Sequence, residues 1–351
     1  MNKVIILLGP TGVGKTGASI LLAKALDTEI ISADSMQIYK GMDIGTAKPS
    51  KEQRGSVKHH MIDIVSPSEP YSVGKYIDDV TPIIKSLLSR GKIPIIVGGT
   101  GLYIKAMTRG IFSGPSADWK LREELTALEE EQEGSLYSYL QELDPEAASK
   151  IMPADKRRVI RAIEVCLKTR QGISELQQKL TSPLPYEFIK IGLTRDRKEL
   201  YKIIEARVDE MIKAGLVNEV KNLIHPFTHL SAVADSRRPK PMASDEPAKA
   251  GSPIHQLSSI QAIGYKEIAM HLNDKIPLVI ESQRLEETIS LIKRNTKRYA
   301  KRQFTWFKKE EDIHWIDITG IYGNKEIFER AEQMLNSLCD KACFINKNLL
   351  S

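Results

Sequence analysis

Gly9-Pro10-Thr11-Gly12-Val13-Gly14-Lys15-Thr16 carries the complete phosphate-loop pattern, two glycines with four residues between them followed by Lys and a hydroxyl residue. Glycines let the backbone curl around an anion, so that its N–H groups and the start of the following helix face the phosphates. Lys15 is long enough to reach an outer phosphate, and the Thr16 hydroxyl suits Mg²⁺. The flanks agree, with the apolar run VIILL before the loop and the helix-like LLAKAL after it. The pattern therefore points to a bound diphosphate or polyphosphate without choosing a reaction. Most proteins with this loop handle nucleoside triphosphates such as ATP, and place a Mg²⁺-associated Asp at the end of a later apolar strand. The best such strand here, 93–97, ends in Gly98-Gly99-Thr100 instead. Asp63, in HHMIDI, is another possible acid on a shorter run. A routine ATPase is thus a weaker reading, though still open.

Asp34 follows the short apolar run at 29–32, at the strand end where active-site groups of open parallel sheets collect. It can contact Mg²⁺, act as a general base, orient a nucleophile, or simply cap the next helix. Gln37 adds an amide able to read a base edge, and Thr46 and Lys48 lie in a polar loop suited to substrate or to solvent. His59-His60 lacks the i, i+4 spacing of a two-ligand metal site on a helix, so polar packing beside Asp63 is the better expectation. Arg157, Arg158 and Arg161 share a helical stretch with the packing residues Ile160, Ile163 and Leu167. The segment 293–309 holds eight Lys or Arg and no acid. Within it Lys293, Arg294, Lys297, Arg298, Lys301 and Arg302 form i, i+4 stripes beside Tyr299, Phe304, Trp306 and Phe307. Cations at that density suit a nucleic-acid backbone better than base reading, and equally describe a solvated helix.

These residues need a scaffold. The runs at 4–8, 29–32 and 93–97 read as buried strands alternating with helices, the second of which spans 76–90 with Pro82 inside. That alternation predicts an α/β, P-loop NTPase-like core built on a parallel sheet. From 118 to 170 the pattern is helical, ending near Gly172. Residues 196–224 read as a helix or pair broken at Gly215, 281–307 as one long helix, and the stretch after 326 as a last helix. The expected organisation is a core over 1–115, a mainly helical insertion over 116–195, a return to the core with the basic region over 196–325, and a helical tail over 326–351. Residues 231–259, rich in Ala, Ser and Pro, read as an irregular excursion.

Composition limits the alternatives. The chain has 351 residues, 41% of them hydrophobic and 27% charged, which is ordinary for a globular protein. Three cysteines exclude a disulfide-rich secreted scaffold, and the pair Cys339 and Cys343 lacks partners for a structural zinc site. The net charge of +6 matters less than its clustering. With no membrane-length apolar run and no signal-peptide pattern, a soluble cytoplasmic protein is expected.

Taken together the motifs resemble the tRNA dimethylallyltransferases, or isopentenyl-tRNA transferases. The resemblance spans roughly 3–310 outside the excursion. It rests on GPTGVGKT at 9–16, SADSMQIYKGMDIGTAKP at 32–49, HHMIDI at 59–64, VGGTGLYIKA at 97–106, RRVIRAIEV at 157–165, QAIGYKEI at 261–268 and KRNTKRYAKRQFTWF at 293–307. It implies transfer of a five-carbon isoprenoid from dimethylallyl diphosphate to N6 of adenosine 37 of tRNA, with release of diphosphate and no consumption of ATP. It assigns the leaving diphosphate to the 9–16 loop with Mg²⁺ at Thr16, the amine to Asp34, and a diphosphate-side contact to Arg207. It assigns tRNA contacts to Asp34, Ser35, Met36, Gln37, Thr100, Arg122 and the strip Arg157, Arg158, Val159, Ile160 and Arg161; the charge of the basic helix adds Lys297 and Arg298 as expected tRNA contacts. The family commonly has Gln-Arg at 157–158, and a further Arg where this chain has Ile203; Lys202 or Arg197 is left as a possible substitute. The implied assembly is a monomer. An ATP-dependent kinase, or a non-catalytic RNA-binding protein with a vestigial phosphate site, would share some of these residues.

Overall fold

The run KVIILL forms strand β1 (Lys3–Leu8), with every residue after Lys3 buried. A strand buried on both faces belongs in the middle of a parallel sheet, and that is where it lies. The computed structural model describes residues 2–112, 114–231, 259–273 and 278–338, without side-chain detail at 225–231, 273 and 278–283. Its sheet has six parallel strands in the order β3-β2-β4-β1-β5-β6. The other strands are β2 (Ile30–Ala33), β3 (His59–His60), β4 (Ile95–Gly98), β5 (Glu187–Thr194) and β6 (Ile313–Asp317). The α/β expectation holds. Three strands carry no clear signal in the sequence. β3 has two residues, β5 runs EFIKIGLT with charge at its start, and β6, IHWID, is a half-exposed edge.

Helices α1 (Lys15–Ala25), α2 (Lys51–Ser56), α3 (Val73–Ser89) and α4 (Gly101–Thr108) alternate with the first four strands. Ser72 caps α3 through Lys75 N, so this helix starts earlier than 76 and runs through Pro82. After β5 come α10 (Arg197–Lys213) and α11 (Leu216–Ser231), separated by Gly215, whose φ of 100° is the left-handed geometry that ends a helix. Then follow α12 (Tyr265–Asn273), α13 (Leu278–Phe307) and α14 (Asn324–Leu338). The core beneath the site collects Ile5, Leu7, Leu22, Ile95, Ile191 and Leu193 from the sheet and α1 with Leu200 and Ile204 of α10 and Ile327 of α14.

Residues 105–185 form a second compact unit. It is helical, with α5 (Trp119–Glu131), α6 (Ser135–Leu143), α7 (Pro145–Lys150), α8 (Lys156–Thr169) and α9 (Ile173–Leu180). Asp118, Asp144 and Asp155 cap α5, α7 and α8 by accepting first-turn N–H groups. Leu125, Leu136, Leu140, Ile163 and Leu176 make its core. The unit ends before β5, whereas the insertion expected from pattern reached 195. α8 stops at Thr169 because Arg170 turns left-handed, at φ 57°, and Gly172 already caps α9. Apart from its ends, the 231–259 excursion lies outside the described residues, as do Cys339, Cys343 and the tail beyond 338.

β2 and β4 approach closely at their carboxyl ends, where a Cβ on Gly98 would lie 2.1 Å from the Ala33 carbonyl oxygen. Gly98→Ala should therefore destabilise the protein by about 1–3 kcal/mol. A urea-denaturation midpoint equal to the parent's would show that the strands yield there at no cost.

Candidate functional site

Three loops leave the carboxyl ends of neighbouring strands β2, β4 and β1 and meet around a cavity of about 420 Å³. Thr11, Gly12, Gly14, Lys15 and Thr16 line one side, Asp34 and Gln37 another, and Gly98 and Gly99 a third. α10 contributes Ile203 and Arg207, α13 Tyr299 and Gln303, and the start of α14 Asn324.

The phosphate loop has the shape its glycines allow. Gly9, Gly12 and Gly14 take φ of 147°, 82° and 113°, a region costly for other residues. Of the expected anion-binding residues, Val13 is the one whose side chain belongs to the core, at 1% exposure. Lys15 Nζ donates to the Gly9 and Pro10 carbonyls, both at 2.8 Å. Burial lowers its pKa to about 7; Asp34 opposes that fall and Arg207 adds to it. Arg207 is also pulled down by burial, while Asp34 and Glu210 support its charge, and it donates to the Thr11 hydroxyl at 3.4 Å. Two partly desolvated cations facing one cavity make a strong site for an anion, which would restore the solvation they have lost.

Asp34 begins a tight turn. Its Oδ1 accepts Met36 N at 2.8 Å and Gln37 N at 3.3 Å, the geometry of a helix-cap aspartate. No helix follows, so the expected helix cap is a turn cap: one oxygen caps the turn, while the side chain lines the cavity. Thr100 Oγ1 accepts Ser35 N at 3.0 Å, and Thr100 N donates to the Ala33 carbonyl, so Thr100 steadies the turn that carries Asp34. The Gln37 amide is engaged within the loop, accepting from Ser32 and donating to the Thr46 and Ala47 carbonyls. Met36 packs at the edge of the neighbouring apolar cluster.

Several polar residues are held by other protein groups. The Lys48 side chain lines the cavity but is 2% exposed and donates to the Tyr39 carbonyl, Asp43 and Asp63. Asp63 is held by Lys48 and Arg54; burial would raise its carboxyl, but those two cations bring it below the ordinary range. His60 bonds Glu29 at 2.6 Å, so its polar packing is against Glu29 and not the expected Asp63. Burial opposes ionisation of Glu29, but Arg90, His60 and Lys58 lower it to about 2. Arg195 is buried against Glu199 and the Ile321 carbonyl. Arg197 and Lys202 are exposed and do not line the cavity, so Ile203 stands there beside Arg207 with no neighbouring cation in its place.

The residues expected to touch RNA are placed differently from one another. On the basic helix Lys293 pairs with Asp209 at 2.6 Å and Lys297 with Glu205, both on α10. Arg294, Arg298, Lys301 and Arg302 are exposed. In the helical unit Arg157 and Arg158 are exposed and Ile160 is half-buried. Val159, expected in the contact strip, is instead a core residue at 1% exposure, because it falls on the apolar face of α8. Arg122 and Arg161 both bond the fully buried Glu164. Burial would raise that carboxyl; Arg122, the Asp118 N–H and Arg161 hold it below the usual range.

Sequence reasoning missed Gln303, Asn324 and Glu219. Glu219 accepts the N–H groups of Asp43, Ile44 and Gly45 and the Tyr265 hydroxyl, which shapes the loop after Asp34. Gln303 left one signal, a polar residue on the buried stripe Ile292, Ala300, Phe307 of α13.

Because Lys15 must be protonated to hold an anion, and its pKa in the free site is about 7, binding draws in a proton above that pH. Affinity for inorganic diphosphate should fall as pH rises through 7 and above, relative to Lys15→Met, in which that component is absent. Titration calorimetry giving parallel pH profiles for the two proteins would refute the shift.

A family model described as IPP transferase matches residues 37–310. The tRNA dimethylallyltransferase of Thermodesulfovibrio yellowstonii is 53% identical over 340 residues, covering 97% of this chain and 99% of that one. That of Thermotoga maritima is 44% identical over 317 residues, covering 90% and 93%. Among solved structures, the full-length tRNA isopentenylpyrophosphate transferase of Bacillus halodurans superposes with a TM-score of 0.64 at 39% identity, over 96% and 97% of the two chains. A eukaryotic dimethylallyltransferase described as acting on tRNA gives 0.71 at 28% identity, over 96% and 80%.

Proposed function

The chain belongs to the IPP transferase family and is a transferase, and we propose that it moves the dimethylallyl group of dimethylallyl diphosphate onto N6 of adenosine 37 of tRNA, releasing diphosphate without consuming ATP. The observation that carries this reading is the pairing of Lys15 and Arg207 with Asp34 across one cavity. A bond from carbon to the diphosphate oxygen breaks while a bond from carbon to nitrogen forms. Negative charge grows on the departing diphosphate, where Lys15, Arg207 and the loop N–H groups of 9–16 stabilise it. The amine loses a proton as it becomes bonded to carbon, and the Asp34 carboxylate takes that proton. An aromatic amine is a poor nucleophile, because its lone pair is delocalised, so orientation by Asp34 matters as much as basicity.

Thr16 lines the cavity, and its hydroxyl fits a hard divalent cation. Among the described residues no cluster of three His, Cys, Asp or Glu could hold a metal unaided, so Mg²⁺ here would rest on Thr16 and the substrate's own oxygens. When bound, it would supply positive charge to the leaving diphosphate. The target adenine must leave its stack to reach the cavity, which is easier from a single-stranded loop than from a duplex. Arg122, Arg157, Arg158, Arg161 and Arg298 supply the phosphate contacts in this reading, Ser35, Met36, Gln37 and Thr100 form the loop around the adenine, and Lys297 contributes through the helix it braces. Among the described residues no helix is long and apolar enough to cross a membrane. The protein is read as a cytoplasmic monomer.

Incubation with unmodified tRNA, Mg²⁺ and dimethylallyl diphosphate, with and without ATP, should yield N6-dimethylallyladenosine in both cases by nucleoside mass analysis. Phosphate appearing on the acceptor, with the isoprenoid donor intact, would replace this reading with a kinase. Asp34→Asn should slow transfer by about 10²–10⁴-fold, the range of a general base, with little change in tRNA affinity; equal rates would remove Asp34 from the chemistry. Arg298→Glu should weaken tRNA binding and flatten its dependence on salt, and superimposable binding curves across salt would contradict the contact.

A further inference from the structure

We propose that Gln303 is a positioning residue that sets the spacing between the loop holding the diphosphate and the loop steering the attacking amine. The inference rests on the transfer reading above. Gln303 is buried, 6% exposed, on the inner face of α13. Its Oε1 accepts Thr11 N at 2.9 Å and its Nε2 donates to the Gly99 carbonyl at 2.9 Å. Thr11 follows β1 and Gly99 follows β4, and the register between these two strands ends at the Leu8–Gly98 pair. Past that pair the Gln303 side chain bridges the two loops. From Gly99 the connection continues through Thr100, whose Oγ1 accepts Ser35 N, to the turn of Asp34.

The chemistry of the bridge fixes its sense. A backbone N–H can only donate and a carbonyl can only accept, so a flipped amide would set donor against donor and acceptor against acceptor. Packing is tight as well, since a Cβ on Gly99 would lie 2.4 Å from Gln303 Nε2. Leaving oxygen, carbon and amine must align to within a fraction of an ångström, and a displacement of about 1 Å can slow a reaction ~100-fold. A side chain that ties Thr11 to Gly99 therefore acts on the rate of transfer more than on the binding of either substrate.

The test compares Gln303→Met and Gln303→Glu with the parent protein. Single-turnover transfer is measured at saturating dimethylallyl diphosphate and tRNA, alongside separate binding of tRNA and of inorganic diphosphate. Met keeps the length and loses both hydrogen bonds. It should slow transfer by roughly 10–100-fold while both affinities stay within about threefold, an order-of-magnitude margin. Glu adds a readout that packing alone would not move. Protonated, its carboxyl accepts from Thr11 and donates to Gly99 as the amide does; ionised, it has no proton for Gly99. The ratio of its rate to the parent's should therefore rise as pH falls. An unchanged rate in the Met variant, a rate loss accounted for by weaker binding, or a pH-independent ratio for the Glu variant would each overturn the proposal while leaving the transfer reading intact. A parent protein that makes no prenylated adenosine would take both down.

Discussion

Parallel pairing of β2, β4 and β1 is the constraint on which the site depends. Parallel strands place all their carboxyl ends on one edge, so the loops after them cannot avoid one another. The Ile31–Ile96 and Ile6–Ile96 registers bring Asp34, Gly99 and the phosphate loop to one cavity although they are separated by tens of residues in the chain. Close approach then selects the residue types at the edge. Gly98 has no room for a Cβ against Ala33, and Gly9 none against the Leu193 carbonyl. The glycines are thus required by the sheet as well as by the anion.

Electrostatics follows from that convergence. Lys15 and Arg207 share a site with a single acid, Asp34, and both cations are lowered by burial before any substrate arrives. Such a site is poorly satisfied in its free form and favours a polyanion. Ile203, one turn from Arg207 on α10, leaves the cavity wall apolar at that point. The free site therefore relies on Lys15, Arg207 and backbone dipoles for its positive potential.

Formal charge and available charge also differ elsewhere. Two of the six cations of the stripe on α13 are spent on α10, where Lys293 and Lys297 meet Asp209 and Glu205. Those pairs hold the helix that carries Tyr299 and Gln303 against the cavity. Arg294, Arg298, Lys301 and Arg302 remain at the surface. In the helical unit the same division appears, with Arg122 and Arg161 anchored by buried Glu164, and Arg157 and Arg158 exposed. Anchoring fixes a guanidinium's direction and lowers the entropy lost on contact with a phosphate.

What the sequence determined by itself is what local rules govern. The phosphate loop, the strands at 4–8, 29–32 and 93–97, the break at Gly215, the long α13 and the place of Asp34 at a strand end were all legible, because each depends on a few adjacent residues and their period. β3, β5 and β6 were not: β3 has two residues, β6 is a half-exposed edge, and β5, an interior strand, carries Glu187 and Lys190 in its run, so each owes its form to the neighbours it pairs with. Tertiary structure alone decided which polar groups face the cavity. Asp63 looks like a site acid and is instead held by Lys48 and Arg54, outside the cavity lining. Val159 looks like part of a contact strip and is core. Gln303 looks like one polar residue in a basic helix and bridges two loops some 200 positions away or more. A side chain's partners are set by what the fold brings beside it, and a linear pattern records only its own side of each contact.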